Sequence, residues 1–246
     1  MNVCKLTIAL GLALFAMPLA ALAQATPTDA ATAAPTAEEA PASNWSWNAN
    51  ITSDYVYRGI TLNNYQPTLQ GGVNYAFGDS GFYAGFWTSH TNFGDGPDGP
   101  NIETDNYVGW SHDLSEDWNL DFLLTHYLYL GANHGYGNVD FNQLDAKLTF
   151  KQMLTFTTSY ANDYVNGGYA YHYYSLSGTH EIGGGFSING GIGHSIYSDG
   201  NGSYTDYNIG VSRQFGPVNA ALNYYDTNID NFRASDAVVL SFAFGS

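Results

Sequence analysis

Seven histidines and a few histidine–serine neighbours are the residues of this chain best suited to chemistry. Hydrolysis by a serine–histidine pair needs the hydroxyl and the imidazole side by side. Along an extended strand, side chains on one face are two residues apart. Ser89-His90 and His194-Ser195 are adjacent, so each pair points to opposite faces, and no His-x-Ser occurs. His90, His112, His126, His134, His172, His180 and His194 are scattered, and none has metal-ligand spacing with a second histidine or a carboxylate. The loop Asp95-Gly96-Pro97-Asp98-Gly99-Pro100 offers oxygen ligands for Ca²⁺ but lacks the regular spacing and terminal glutamate of an EF-hand. Gly183-Gly184-Gly185 is followed by no helix, so it reads as a turn and not as a phosphate cradle. The chain therefore reads as a non-enzyme with no catalytic residue, no metal and no cofactor.

The charged residues are more informative. Asp54 and Arg58 are four apart in a segment read as one strand over 45–57, so they share a face with Asn48, Asn50 and Thr52. Asp121, Asp145 and Lys147 fall on the polar parity of their own segments, as do Glu103, Asp105 and Asp206. Charges enclosed on such a face must pair with each other or meet water. Two roles fit them: setting the electric field in a lumen, and hence ion preference, or forming an internal network that plugs it. Acids outnumber bases six to two in this set, which predicts cation preference if the lumen conducts.

The elements that carry these residues are period-two segments of about ten residues. Twelve strands are predicted, at 45–57, 66–77, 81–90, 103–113, 118–130, 139–150, 153–161, 169–181, 186–197, 204–215, 217–227 and 235–244. Their connections sort by length. Short ones at 77–81, 113–117, 151–152, 182–185 and 215–217 alternate with long ones at 58–66, 91–102, 131–139, 162–169, 198–203 and 228–235. Tight turns on one side of a membrane and larger loops on the other produce this pattern. The predicted fold is all-β, a transmembrane antiparallel up-and-down barrel with short periplasmic turns and longer extracellular loops.

Face assignment agrees with a barrel in lipid. Leu144, Ala146, Leu148 and Phe150 oppose Gln143, Asp145, Lys147 and Thr149. Val238, Leu240, Phe242 and Phe244 oppose Ala237, Val239, Ser241 and Ala243. The apolar set is expected outside and the polar set inside. A soluble barrel inverts that arrangement, and alternation alone does not separate the two. Aromatic residues bracket the strands. Trp45, Trp47, Phe77, Phe82, Trp118 and Phe215 lie near the short turns, while Tyr55, Tyr57, Tyr127, Tyr171, Tyr173 and Tyr204 lie near the long loops. Two interfacial belts are the expected reading.

The ends and the composition set further bounds. Residues 1–23 read as a secretory signal peptide: Lys5, the apolar run Leu6 to Leu22, and the small-x-small site Ala21-Leu22-Ala23. Residues 24–44, rich in Ala, Pro and Thr, read as a disordered leader. The barrel domain is 45–246. Cys4 is the single cysteine, so the exported chain would have no disulfide. Removing Lys5 leaves 5 basic against 22 acidic residues, a net charge of −17. A chain this acidic has little with which to neutralise phosphates, which argues strongly against nucleic acid as a partner.

The first hairpin carries a family resemblance. Ser53-Asp54-Tyr55-Val56-Tyr57-Arg58-Gly59-Ile60-Thr61, followed by Gln66-Pro67 and Gln70-Gly71-Gly72, resembles the opening of the TorF-type porins of proteobacterial outer membranes. Gly81 to Ser89, Glu103 to Gly109, Tyr127 to Gly131 and Asn223 to Asn228 are similar to later strands of that family. The resemblance implies an outer-membrane barrel and a pore, and supplies neither a substrate nor catalytic residues. The expected partners are outer-membrane lipid, the barrel-assembly machinery, and small hydrophilic solutes or ions. Three functions stay open: a narrow cation-preferring channel, a closed barrel acting through its external loops, and a lipid-modifying enzyme. No subunit interface is marked, so the oligomeric state is left open.

Overall fold

A computed structural model describes residues 44–93, 98–133 and 135–245. The signal sequence and nearly all of the expected leader lie outside the described residues, as do Asp95 to Pro97 of the Gly/Pro-rich loop and His134.

Twelve strands close into one antiparallel barrel: β1 (Trp45–Thr52), β4 (Thr68–Ala76), β5 (Phe82–His90), β6 (Ile102–Asp113), β7 (Trp118–Leu130), β8 (Phe141–Phe150), β9 (Leu154–Ala161), β10 (Tyr171–Gly183), β11 (Phe186–Tyr197), β12 (Ser203–Phe215), β13 (Val218–Thr227) and β14 (Ala237–Gly245). Each pairs with its neighbours in sequence, and β1 closes the ring on β14, with Asn50 opposite Ala243. The two-stranded hairpin of β2 (Val56–Tyr57) and β3 (Ile60–Thr61) is separate from the barrel sheet. Connections of a few residues gather at one end, and the longer loops at the other, as the sorting of lengths predicts.

The polarity of the molecule is turned inside out. Large apolar side chains stand exposed around the barrel, among them Leu69, Val108, Leu144, Leu176, Ile192, Ile209, Leu222 and Leu240. The buried set is dominated by Thr, Ser, Asn, Gln, Asp, Glu and Tyr. Exposed apolar surface on this scale is unfavourable in water. It is favourable against lipid, and closure leaves no unpaired strand edge there. This arrangement excludes the soluble alternative, in which the apolar side chains would fill the middle.

Two expectations change. Strand one ends at Thr52 and not at residue 57. The segment 53–67, expected as the end of a strand plus an external loop, turns into the lumen. The tyrosines near the long loops also divide. Tyr160, Tyr174 and Tyr207 point outward and are exposed, whereas Tyr55, Tyr57, Tyr127, Tyr171, Tyr173 and Tyr204 are buried inside. The reason is parity: Tyr127 shares a face with the buried Thr125, and Tyr173 is two residues from Tyr171. The outward belt at the long-loop end is therefore thinner than expected, and most of its tyrosines fill the interior. At the short-turn end Trp45, Trp47, Phe77, Phe82 and Phe215 are exposed, as a belt requires.

Candidate functional site: the luminal hairpin and its carboxylate wall

The inward segment begins where Thr52 Oγ1 donates to the Asp54 backbone oxygen, bending the chain off β1. Tyr57 pairs with Ile60, so Arg58-Gly59 is a two-residue connection. Both residues have positive φ, 50° and 76°. Right-handed strand twist favours such a turn in a hairpin this tight. Glycine takes that conformation freely; arginine does so at a cost of about 1–2 kcal/mol. Gly59 is required for a second reason, since a Cβ there would collide with Thr227 and Asp206.

Arg58 recovers its cost at the tip of the hairpin. Its guanidinium lies 4.5, 5.0 and 4.0 Å from the ring centres of Tyr57, Tyr171 and Tyr173. Nη2 donates to Ser159 Oγ on β9 at 3.1 Å, and the Tyr204 hydroxyl on β12 donates to the Arg58 backbone oxygen at 3.1 Å. Desolvated cation–π contacts of this kind are each worth about 1–2 kcal/mol. At its base the hairpin is sewn to the long loops. Thr61 N–H donates to the Arg233 backbone oxygen, and Arg233 Nε donates back to the Thr61 backbone oxygen. Asn63 holds His90 and the backbone oxygens of Gln66 and Pro67. The segment thus crosses the lumen from β1 to β9, β10 and β12 and is fastened at both ends.

Around it stands a wall of carboxylates held by neutral donors. Tyr55 donates to Glu103 Oε1 at 3.2 Å, Thr61 to Asp54 Oδ1 at 2.7 Å, and Tyr173 to Asp206 Oδ1 at 3.2 Å. The Gln143 amide donates to both oxygens of Asp145, and Tyr83 donates to Asp121 Oδ2 at 2.8 Å. Asp105 sits between Trp87 and Tyr127 on the adjacent strands. Lys147 is the register partner of Asp121 across β7 and β8. Burial pushes the Asp54 carboxyl above its ordinary value, and the Thr61 hydroxyl bond offsets part of that rise.

All eight charged residues singled out in the sequence therefore point into the barrel or sit on the luminal hairpin. Asp54, Arg58, Glu103, Asp105, Asp145, Lys147 and Asp206 are buried, and Asp121 is half-buried. They do not form the Asp54–Arg58 pair that a continuous strand would give. Asp54 bonds to Thr61, while Arg58 reaches the tyrosines and Ser159 on the far wall. The sequence reading missed the tyrosine cage, and with it Ser159, Tyr171 and Tyr173. Val56-Tyr57-Arg58-Gly59-Ile60-Thr61 held the signal: two β-forming pairs around a two-residue connection ending in glycine. Among the described residues no cluster of His, Cys, Asp and Glu is arranged to hold a metal. His194 donates to or accepts from Thr205, and Ser195 shares a hydrogen bond with Tyr171, so the two sit in separate networks.

Comparisons with known proteins agree with this architecture. The model of a family described as a bacterial protein of unknown function, Gcw_chp, matches residues 36–241. The chain belongs to that family. No curated protein matches it in sequence. Among solved structures it is similar to the KdgM porin, with a TM-score of 0.51 and 6% identity over 81% of this chain and 97% of that one. It is also similar to an outer membrane channel from Pseudomonas putida F1, with a TM-score of 0.51 and 11% identity over 87% of this chain and 99% of that one. At these identities the likeness is one of fold.

Proposed function

We propose that this Gcw_chp member is a narrow outer-membrane channel of a Gram-negative bacterium, passing small hydrophilic solutes or ions with a preference for cations. The observation that carries the reading is the inverted polarity: a closed twelve-strand wall, apolar toward lipid, around a hydrophilic interior. An enclosed hydrophilic lining of this kind suits water and small solutes. The porin and channel likeness supports the fold it needs. The first hairpin's resemblance to TorF-type porins points the same way. Cation preference follows from the lining, where Asp54, Glu103, Asp105, Asp121, Asp145 and Asp206 face Arg58 and Lys147. Carboxylates lining a narrow path favour cations by their field.

A second reading has its own support. At the level of the hairpin Glu103, Asp105, Gln143, Asp145, Ser159 and Ser195 are all at most 2% exposed. Packing this tight favours a barrel closed at that level, acting through its loops. Planar-bilayer recording of refolded protein under a KCl gradient separates the two. The channel reading expects small discrete conductances and a reversal potential of the sign set by cation flow. Anion preference would refute the assignment of the lining, and silence from correctly folded protein would favour the closed barrel. Among the described residues the histidine side-chain hydrogen bonds run from His90, His126 and His194 to Asn63, Asn142 and Thr205, and not to a serine.

A further inference from the structure

The long-loop end of the barrel carries an open cup of about 320 Å³, lined by Tyr164, Tyr169, Tyr197 and Asn201. Its size falls within the ~300–1,000 Å³ usual for small-molecule sites. We infer that this cup binds neutral oligosaccharide, one or two pyranose rings at a time.

The argument begins with how firmly the cup is built. Tyr164 stacks on Tyr171 at 4.5 Å and packs edge-on against Phe141 at 4.8 Å, so its ring is fixed from below and from the side. Tyr197 lies 5.0 Å from Tyr171 and 6.0 Å from Tyr169, the latter at an interplanar angle of 77°. The loops that carry these rings are closed on themselves. Tyr164 N–H donates to the Tyr169 backbone oxygen, Gly167 N–H to the Tyr164 backbone oxygen, and Gly168 N–H to Asp163 Oδ1. Between them Val165 and Asn166 hold φ of 50° and 53°. For a β-branched valine that conformation is an outlier, retained where surrounding contacts over-determine it. The second loop is pinned by Tyr197 N–H to the Gly202 backbone oxygen and by Asn201 Nδ2 to the Ser198 backbone oxygen. A site assembled before its ligand arrives loses less entropy on binding.

The lining then selects the ligand. Tyrosine rings are electron-rich faces with a polar rim. The C–H face of a pyranose is apolar and slightly positive, and stacks on such a ring while its hydroxyls reach sideways. The Asn201 side chain and the Tyr169 phenol are the lining groups that can partner those hydroxyls, since the Tyr197 hydroxyl is already bonded to Tyr204. The cup's lining residues include no cation, and Asp163 and Asp199 flank it in the two loops. Arg58 lies beneath Tyr171, enclosed by its cage. An acidic sugar would meet negative charge at the rim and no counter-charge inside. A fatty ligand would leave the hydroxyls and the amide unmatched.

The inference does not rest on the channel conducting, because binding can be read on refolded protein in detergent without any current. Titration calorimetry and saturation-transfer NMR with maltotriose, chitotriose and β-galactotriose, with trigalacturonate as the acidic control, test it. At least one neutral trisaccharide should bind saturably with Kd in the millimolar range or below. Tyr169→Ala should weaken it tenfold or more, and Tyr169→Phe by less than threefold, because phenylalanine keeps the stacking face. Tyr169 sits on the loop and not in the barrel wall, so its substitution leaves folding intact, and a heat-modifiable gel shift checks this. The inference is overturned if no neutral trisaccharide binds, if Tyr169→Ala binds as well as the parent, or if trigalacturonate binds more tightly than all three.

Discussion

The two halves of the lumen are lined by different chemistry, although the same strands run through both. Toward the long loops the inward residues are tyrosines and carboxylates packed around the 53–67 hairpin, and nearly all are buried. Toward the short turns most are small, neutral and half-buried, such as Asn74, Thr149, Thr157, Ser177, Thr179 and Asn208, with Tyr83, Asp121 and Lys147 as the large or charged exceptions. The difference teaches where selectivity can reside. Small neutral residues leave room for water and impose little field. The hairpin half is the narrower one and holds most of the buried carboxylates, with Asp54, Glu103, Asp145 and Asp206 each accepting from a neutral hydroxyl or amide. If the barrel conducts, a narrow, low-dielectric constriction of this kind is a sufficient filter on physical grounds.

The strongest way to break this contrast is to remove the hairpin. Replacing residues 54–65 with a short Gly/Ser connection should raise single-channel conductance at least about threefold, since a twelve-strand wall alone encloses a wider path. Unchanged conductance would mean that the hairpin does not set the width. Next in size are two glycines from opposite ends. Gly59→Ala meets both positive φ and collision with Thr227 and Asp206. It should cost about 2–4 kcal/mol in urea unfolding. Gly78→Ala, with φ of 58° but nothing within 4 Å, should cost only about 1–2 kcal/mol.

Acidity should sharpen the contrast by a smaller amount. Asp54 is harder to ionise in the folded protein than in the unfolded chain, because burial disfavours its charge. The native state then binds that proton more tightly, so this group's contribution to stability grows as pH falls from neutral toward the ordinary carboxyl range. It is lost as pH rises through the folded value. The unfolding midpoint of the parent relative to Asp54→Asn should accordingly rise as pH drops from about 7 to about 4. A difference that stays flat or falls would contradict the burial of that carboxyl.

Much of this was legible in the sequence, and the failures have a common physical root. Alternation in segments such as 143–150 and 237–244 placed apolar residues outside and polar residues inside, because a strand in lipid obeys a strict two-residue rule. Sorting of connection lengths placed the two ends for the same local reason. The hairpin was misread because Val56-Tyr57 and Ile60-Thr61 continue the alternation of β1. Whether such a chain runs on or turns inward is decided by contacts with Ser159, Tyr173 and Tyr204, about a hundred residues or more away. Tyr160 and Tyr174 face outward as a belt requires but most tyrosines near the long loops face inward, because nearness to a loop says nothing about parity. The Tyr164, Tyr169 and Tyr197 cup depends on loops from two hairpins and had no local signal.

The most direct test of a tightly constricted outer half above a wetter inner half is thiol labelling, with Cys4 replaced by serine. Ser177→Cys on β10 and Ser195→Cys on β11 both face inward, whereas Ile192→Cys faces lipid. In bilayers, a small water-soluble methanethiosulfonate should modify residue 177 at least about a hundredfold faster than residue 195, and should leave residue 192 unmodified. Equal rates at 177 and 195, or ready labelling at 192, would contradict the account.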